Sequence, residues 1–159
     1  MRALLLLAAL GCVHQPPAPP HAPTDVPLEL ILPTVQGPPV DVAALRGNVV
    51  VIDLMATWSV ASQAEVPMFQ RLLATYRERG LRMVSIAMDS QTPLLVATWV
   101  ETLGISWPMA LATPAVNSAL GRIPEIPRTI ILDRKGYVRF DQSGTVPATE
   151  LSRIIESLL

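Results

Sequence analysis

The chain has 159 residues, half of them hydrophobic, which suits one domain with an ample core. Its net charge is −1 and only 16% of its residues are charged, so there is no electrostatic footprint for nucleic acid.

Residues 1–12 place one basic residue and a short apolar run before Gly11-Cys12, the pattern of a compact secretory signal. Ala9-Leu10-Gly11-Cys12 resembles a bacterial lipobox, which implies that Cys12 becomes lipidated and anchors the chain to a membrane. The run is far shorter than the ~20 residues of a transmembrane helix. Val13 rather than an aspartate follows the cysteine; by resemblance to sorted lipoproteins this leans toward the outer membrane of a bacterial envelope. Residues 13–27 hold six of the sixteen prolines and read as a semi-rigid polyproline linker. At ~3.1 Å per residue it reaches ~45 Å from an anchor. His14 and His21 read as solvated linker residues.

The expected domain covers residues 28–159. Leu28 to Val35 and Val40 to Val42 flank a Gly-Pro turn and predict a hairpin-like entry. Ala43 to Gly47 predicts a short helical turn. Val49 to Leu54 is a β-branched apolar run and predicts a strand buried on both faces. After Ala56-Thr57-Trp58-Ser59, apolar residues at helical spacing (Val66, Phe69, Leu72, Leu73, Tyr76) predict a helix from Val60 to Arg79, stopped by Gly80 and bent at Pro67. Then follow a strand over Leu81–Met88, a helix over Pro93–Leu103, an extended piece at Trp107–Leu111 and a small helix over Pro114–Leu120. Thr129–Leu132 and Tyr137–Gln142 predict a hairpin around an Asp-x-x-Gly turn, and Pro147–Leu159 an amphipathic helix with Leu151, Ile154, Ile155 and Leu158 on one face. Alternating strands and helices predict an α/β domain with helices on both faces of the sheet.

Two stretches carry a resemblance. Val49 to Pro67 is similar to the active-site segment of the thioredoxin-like superfamily, in its membrane-anchored TlpA-like or redoxin (AhpC/TSA-type) branch: a hydrophobic strand, a Trp-Cys-x-x-Cys turn, and a helix with an internal proline. Trp58 and Pro67 match, and Ser59 and Ser62 stand at the two cysteine positions. Ile126-Pro127-Arg128-Thr129 with the following strand and turn resembles the second signature, which implies a cis proline at Pro127. The implied fold is thioredoxin-like, a central mixed β-sheet flanked by helices on both faces.

Thiol–disulfide exchange needs a thiolate, and the only cysteine is Cys12, outside the domain. As written, the sequence therefore excludes exchange by a dithiol route. A serine nucleophile needs a base, but no histidine lies beyond residue 28 and the sole lysine is the distant Lys135. Ser59 or Ser62 reads instead as the helix cap, and Ser62-Gln63-Ala64-Glu65 fits a capping box with Glu65 reaching back. Asp53 aligns with the family's buried acid; the alternative is a half-exposed residue at a strand end. Trp58 reads equally as core or as contact. No phosphate loop and no His/Cys cluster of metal-ligand spacing is present, so neither cofactor nor metal is expected.

What the resemblance leaves is shape: Trp58, Ser59, Ile126 and Pro127 would line a groove where an extended client polypeptide pairs with the backbone beside the proline. The expectation is a redox-inactive, envelope-anchored binding module. The alternative is a thiol-disulfide oxidoreductase or peroxiredoxin-like protein whose cysteines have been replaced or are supplied by a partner.

Overall fold

The computed structural model describes residues 26–89, 93–121, 123 and 125–159. The expected signal, Cys12 and residues 13–25 of the linker, with His14 and His21, lie outside the described residues. No helix among the described residues is long and apolar enough to cross a membrane.

The entry hairpin is short, β1 (Ile31–Leu32) pairing antiparallel with β2 (Val40–Asp41). The run read as a doubly buried strand is β3 (Val49–Met55), with every residue buried. Next come helix α1 (Val60–Tyr76), strand β4 (Leu81–Ala87) and helix α2 (Pro93–Thr102). They are followed by β5 (Met109–Leu111), α3 (Pro114–Leu120), β6 (Arg128–Leu132), β7 (Val138–Ser143) and α4 (Ala148–Leu158). Five strands form one mixed sheet in the order β5-β4-β3-β6-β7. β4 and β5 run parallel to β3, while β6 and β7 supply the antiparallel half.

α1 continues through Pro67 and ends in a tighter turn over Arg77–Arg79. Gly80 then takes φ 102°, a left-handed conformation that other residues rarely adopt and that releases the chain into β4.

Side chains alternate across a strand, so β3 divides between two cores. Val49, Val51 and Met55 face α1, α2 and α4, with Phe69, Val96, Leu151 and Ile155 among the packing partners. Val50, Ile52 and Leu54 face α3 and the entry hairpin, meeting Leu32, Val116 and Leu120. Three helices thus cover one face and a single short helix the other.

On the α3 face the two antiparallel strands carry a buried ion pair that sequence reasoning did not find. Arg128 donates from Nε and Nη2 to the two Asp141 oxygens, each at 2.7 Å, and from Nη1 to the Leu120 carbonyl at 3.0 Å. Both residues are almost fully buried. The guanidinium fork satisfies the last turn of α3 and the start of β6 together, which fixes the loop leading into β6.

Candidate functional site

The turn between β3 and α1 is pinned from three directions. The Thr57 N–H donates to Asp89 Oδ2 at 3.0 Å and its hydroxyl to Oδ1. Gln63 Nε2 donates to the Thr57 carbonyl at 2.7 Å, and the Ser59 N–H to the Ala56 carbonyl at 3.0 Å. Trp58 projects from this turn 67% exposed and Val60 is 80% exposed, which decides the open choice at Trp58: it is a surface residue, not core.

Ser59 is the N-cap of α1. Its Oγ accepts from the Ser62 N–H at 3.3 Å. The capping box predicted from Ser62 to Glu65 does not form; the helix starts one turn too early for it, and Glu65 sits inside the second turn. Because Ser59 satisfies an otherwise orphaned amide, Ser59→Ala should cost about 1 kcal/mol in urea unfolding, and Ser59→Asp should keep most of that.

Glu65 points into the protein instead. On α1 the buried positions are 62, 65, 66, 69, 72, 73 and 76, so the helical stripe that carries Phe69 and Tyr76 also carries Ser62 and Glu65 against the sheet. The sheet meets them with polar groups of its own. Alternation puts Asp53 on the α1 face of β3, between Val51 and Met55. Register places Ser85 of β4 and Thr129 of β6 directly beside it. The other reading of Asp53, as a half-exposed strand-end residue, is corrected: it lies mid-strand and is 6% exposed. Ser85 Oγ donates to Asp53 Oδ2 at 2.8 Å and itself accepts from Trp107 Nε1 at 2.8 Å.

The two carboxyls shape each other's ionisation. Burial pushes Asp53 up to about 7, against the opposing hydrogen bond from Ser85. Burial also pushes Glu65 up to about 7, and the nearby Asp53 carboxylate adds to the rise. The Val146 backbone amide pulls Glu65 the other way, although neither Glu65 oxygen makes a full hydrogen bond. No basic side chain contributes to either shift. The sequence held a signal for Glu65, since its helical spacing from Phe69 and Tyr76 sets it on the core face. Ser85, Thr129 and Trp107 required knowledge of strand register.

The Ile126–Pro127 peptide is cis, as the resemblance implied. Pro127 is buried and Ile126 half-buried. The Pro127 carbonyl accepts from the Gly144 N–H at 2.7 Å, whereas the Ile126 backbone makes no hydrogen bond among the described residues. An open groove lined by Met88, Asn117, Ser118, Gly121 and Ile123 lies at the same end of the sheet, where β3 and β4 finish and β6 begins. Chemically, the edge offers an exposed indole, apolar surface and an unpaired backbone. Ser59 and Ser62 bring hydroxyls where thiol chemistry would need sulfur.

Residues 18–158 match the profile of the Redoxin family. The chain is 25% identical over 137 residues to the thiol-disulfide oxidoreductase ResA of Oceanobacillus iheyensis, covering 86% of this chain and 71% of that protein. To the ResA of Geobacillus kaustophilus it is 22% identical over 113 residues, 71% of this chain and 64% of that one. The chain thus spans about two thirds of the length of these curated relatives. Among solved structures it resembles a thiol:disulfide interchange protein of the thioredoxin family from Chlorobium tepidum TLS. There the TM-score is 0.77 and the identity 28%, over 86% of this chain and 97% of that one. It shares the fold of a secreted thiol-disulfide isomerase from Corynebacterium glutamicum, with TM-score 0.76 and 16% identity, over 83% of this chain and 84% of that one.

Proposed function

The chain belongs to the redoxin family of thioredoxin-like proteins, and on that premise we propose that it is a redox-inactive binding module that takes up an extended polypeptide at the edge formed by Trp58, Ser59, Ile126 and Pro127. One observation carries this reading. The N-terminus of α1 presents serines, with no thiol anywhere in the described domain, while the surface beside it remains open: Trp58 is 67% exposed and the Ile126 backbone is unpaired among the described residues. Exposed aromatic and apolar side chains beside a free backbone edge suit β-augmentation, in which main-chain hydrogen bonds give affinity and side-chain contacts give selectivity. The proposed setting is the bacterial envelope, with Cys12 as lipid anchor and residues 13–27 as spacer. The lipobox-like Ala9-Leu10-Gly11-Cys12 motivates an extracytoplasmic site.

A photoreactive residue at position 126 tests the groove. It should crosslink a discrete partner set in envelope extracts, and Trp58→Ala should weaken the capture by about tenfold or more, as loss of an exposed aromatic anchor does. Capture that is indifferent to Trp58 would place the contact elsewhere. The second reading, a thiol-disulfide oxidoreductase whose cysteines come from a partner, is favoured by the relatives' names. It predicts that captured partners carry a reactive dithiol.

A further inference from the structure

Five buried side-chain oxygens among the described residues make no full hydrogen bond: Asp53 Oδ1, Ser62 Oγ, both oxygens of Glu65, which only the Val146 amide approaches, and Thr129 Oγ1. They are not scattered. Asp53 and Thr129 are directly opposed across β3 and β6, on the face that α1 covers. Ser62 and Glu65 are one helical turn apart on the buried stripe of α1. Thr129 is 0% exposed, Ser62 4%, and Asp53 and Glu65 6% each. These atoms belong to two facing surfaces, the buried stripe of the first two turns of α1 and the centre of the sheet, and the Asp53 and Glu65 carboxyls are close enough to act on each other. Buried polar groups of a folded protein are ordinarily satisfied, so a cluster of this kind calls for a partner.

We propose that this cluster is a cation site for a hard divalent ion of the calcium class, held by Asp53 Oδ1, a bidentate Glu65 and the hydroxyls of Ser62 and Thr129. The donor set selects the ion. All five atoms are oxygens, with no imidazole or thiolate, which disfavours zinc and copper. Magnesium demands near-ideal octahedral geometry and holds on to its water, whereas calcium accepts irregular cages built largely from protein oxygens. Asp53 has one free oxygen because Ser85 occupies the other. Two carboxylates supply the charge to balance a divalent ion. No group of three or more His, Cys, Asp or Glu side chains suited to a metal occurs among the described residues, so here the hydroxyls complete the set. With no basic side chain opposing the pair, its alternatives to a cation are retained protons.

Trp107 makes the site observable. Its indole reaches Asp53 through a single hydroxyl, that of Ser85. Terbium, a luminescent stand-in for calcium, should therefore be sensitised when Trp107 is excited. The full chain, stripped with EDTA and held at about pH 8 so that the pair is ionised, is titrated with terbium and, separately, with calcium to about 10 mM, above the ~10⁻⁴–10⁻³ M range of extracellular calcium modules. Sensitised terbium emission that calcium competes away is expected, together with a calcium-dependent rise in melting temperature of about 5 °C. Asp53→Asn and Glu65→Gln should each abolish both signals, and Glu101→Gln on exposed α2 should preserve them. Trp107→Phe should remove the emission and leave the thermal shift. No thermal shift with calcium would overturn the proposal, as would emission that survives both carboxyl substitutions. Loss of the shift in Glu101→Gln would equally place the ion at the surface.

Discussion

Replacing Ser59 and Ser62 together by cysteine should convert a protein with no thiol-disulfide activity into one that forms a reversible disulfide and reduces insulin with dithiothreitol above the no-protein control. The unaltered protein should match that control, because neither hydroxyl can form a disulfide. Three features of the scaffold argue for the gain. Residues three apart at a helix start lie about 5–6 Å apart at Cβ and need only a small closure to meet disulfide geometry. The Ser59 side chain already folds over the first turn to meet the Ser62 amide. A thiol at position 59 sits at the positive end of a 17-residue helix, which lowers its pKa. The two sites differ, since a thiolate at 62 would lie over the Asp53 and Glu65 carboxyls and be disfavoured by them. Cysteine 59 should therefore be the first to react with an alkylating reagent. Failure of the double variant to oxidise at all would mean that positions 59 and 62 do not correspond to the family's dithiol. Turnover by the unaltered protein would defeat the redox-inactive reading outright.

The second large effect is on stability against pH. Asp53 and Glu65 are both raised to about 7 in the folded protein, from ordinary values of 3.8 and 4.5. The folded state therefore holds more protons than the unfolded state between about pH 4 and pH 7. Stability is fully present below the unfolded values and is lost as pH rises through the folded ones. A rise from 3.8 to about 7 in one group corresponds to about 4 kcal/mol, and the loss across the pair should be of that order. In urea melts with EDTA present, so that no cation offsets the effect, the unfolding free energy should fall between about pH 4 and pH 7 and level off above that. Asp53→Asn and Glu65→Gln should each flatten the fall and be more stable than the parent at pH 8, because an uncharged amide costs far less to bury than a carboxylate. A curve that is flat or rises over this range would show that the pair does not lie unopposed beneath α1. The groups around the pair are few. Ser85, Thr129, Ser62 and Trp107 are neutral, and Arg128 lies on the other face of β6, tied to Asp141.

Much of this was written locally. The apolar run at Val49–Leu54 became a strand buried on both faces, α3 spans Pro114–Leu120 as predicted, and Gly80 stops α1 where expected. Each depends on neighbours in sequence: β-branched residues in series, a proline at the first turn, a residue free to take positive φ. The serines at 59 and 62, and with them the want of a thiolate, are equally a matter of reading residues. The motif resemblance also gave the cis bond at Pro127, which composition and periodicity could not.

What the chain did not state was which polar groups meet. The sequence leaves Asp53 open between a buried and a half-exposed position and Trp58 between core and surface, and its capping-box pattern points Glu65 to a cap that the structure does not form. Those outcomes hang on where α1 lands on the sheet and on the register of three strands. Ser85, Asp53 and Thr129 are separated by more than thirty residues at each step yet stand side by side. The Arg128–Asp141 pair spans a hairpin with a register shift between Ile131 and Leu132. Sequence by itself determined the elements and the loss of sulfur, because those follow from local sterics and from side-chain chemistry. Only the tertiary structure decided that two carboxyls are buried close to each other, because desolvation and charge proximity exist only once distant strands and a helix have packed.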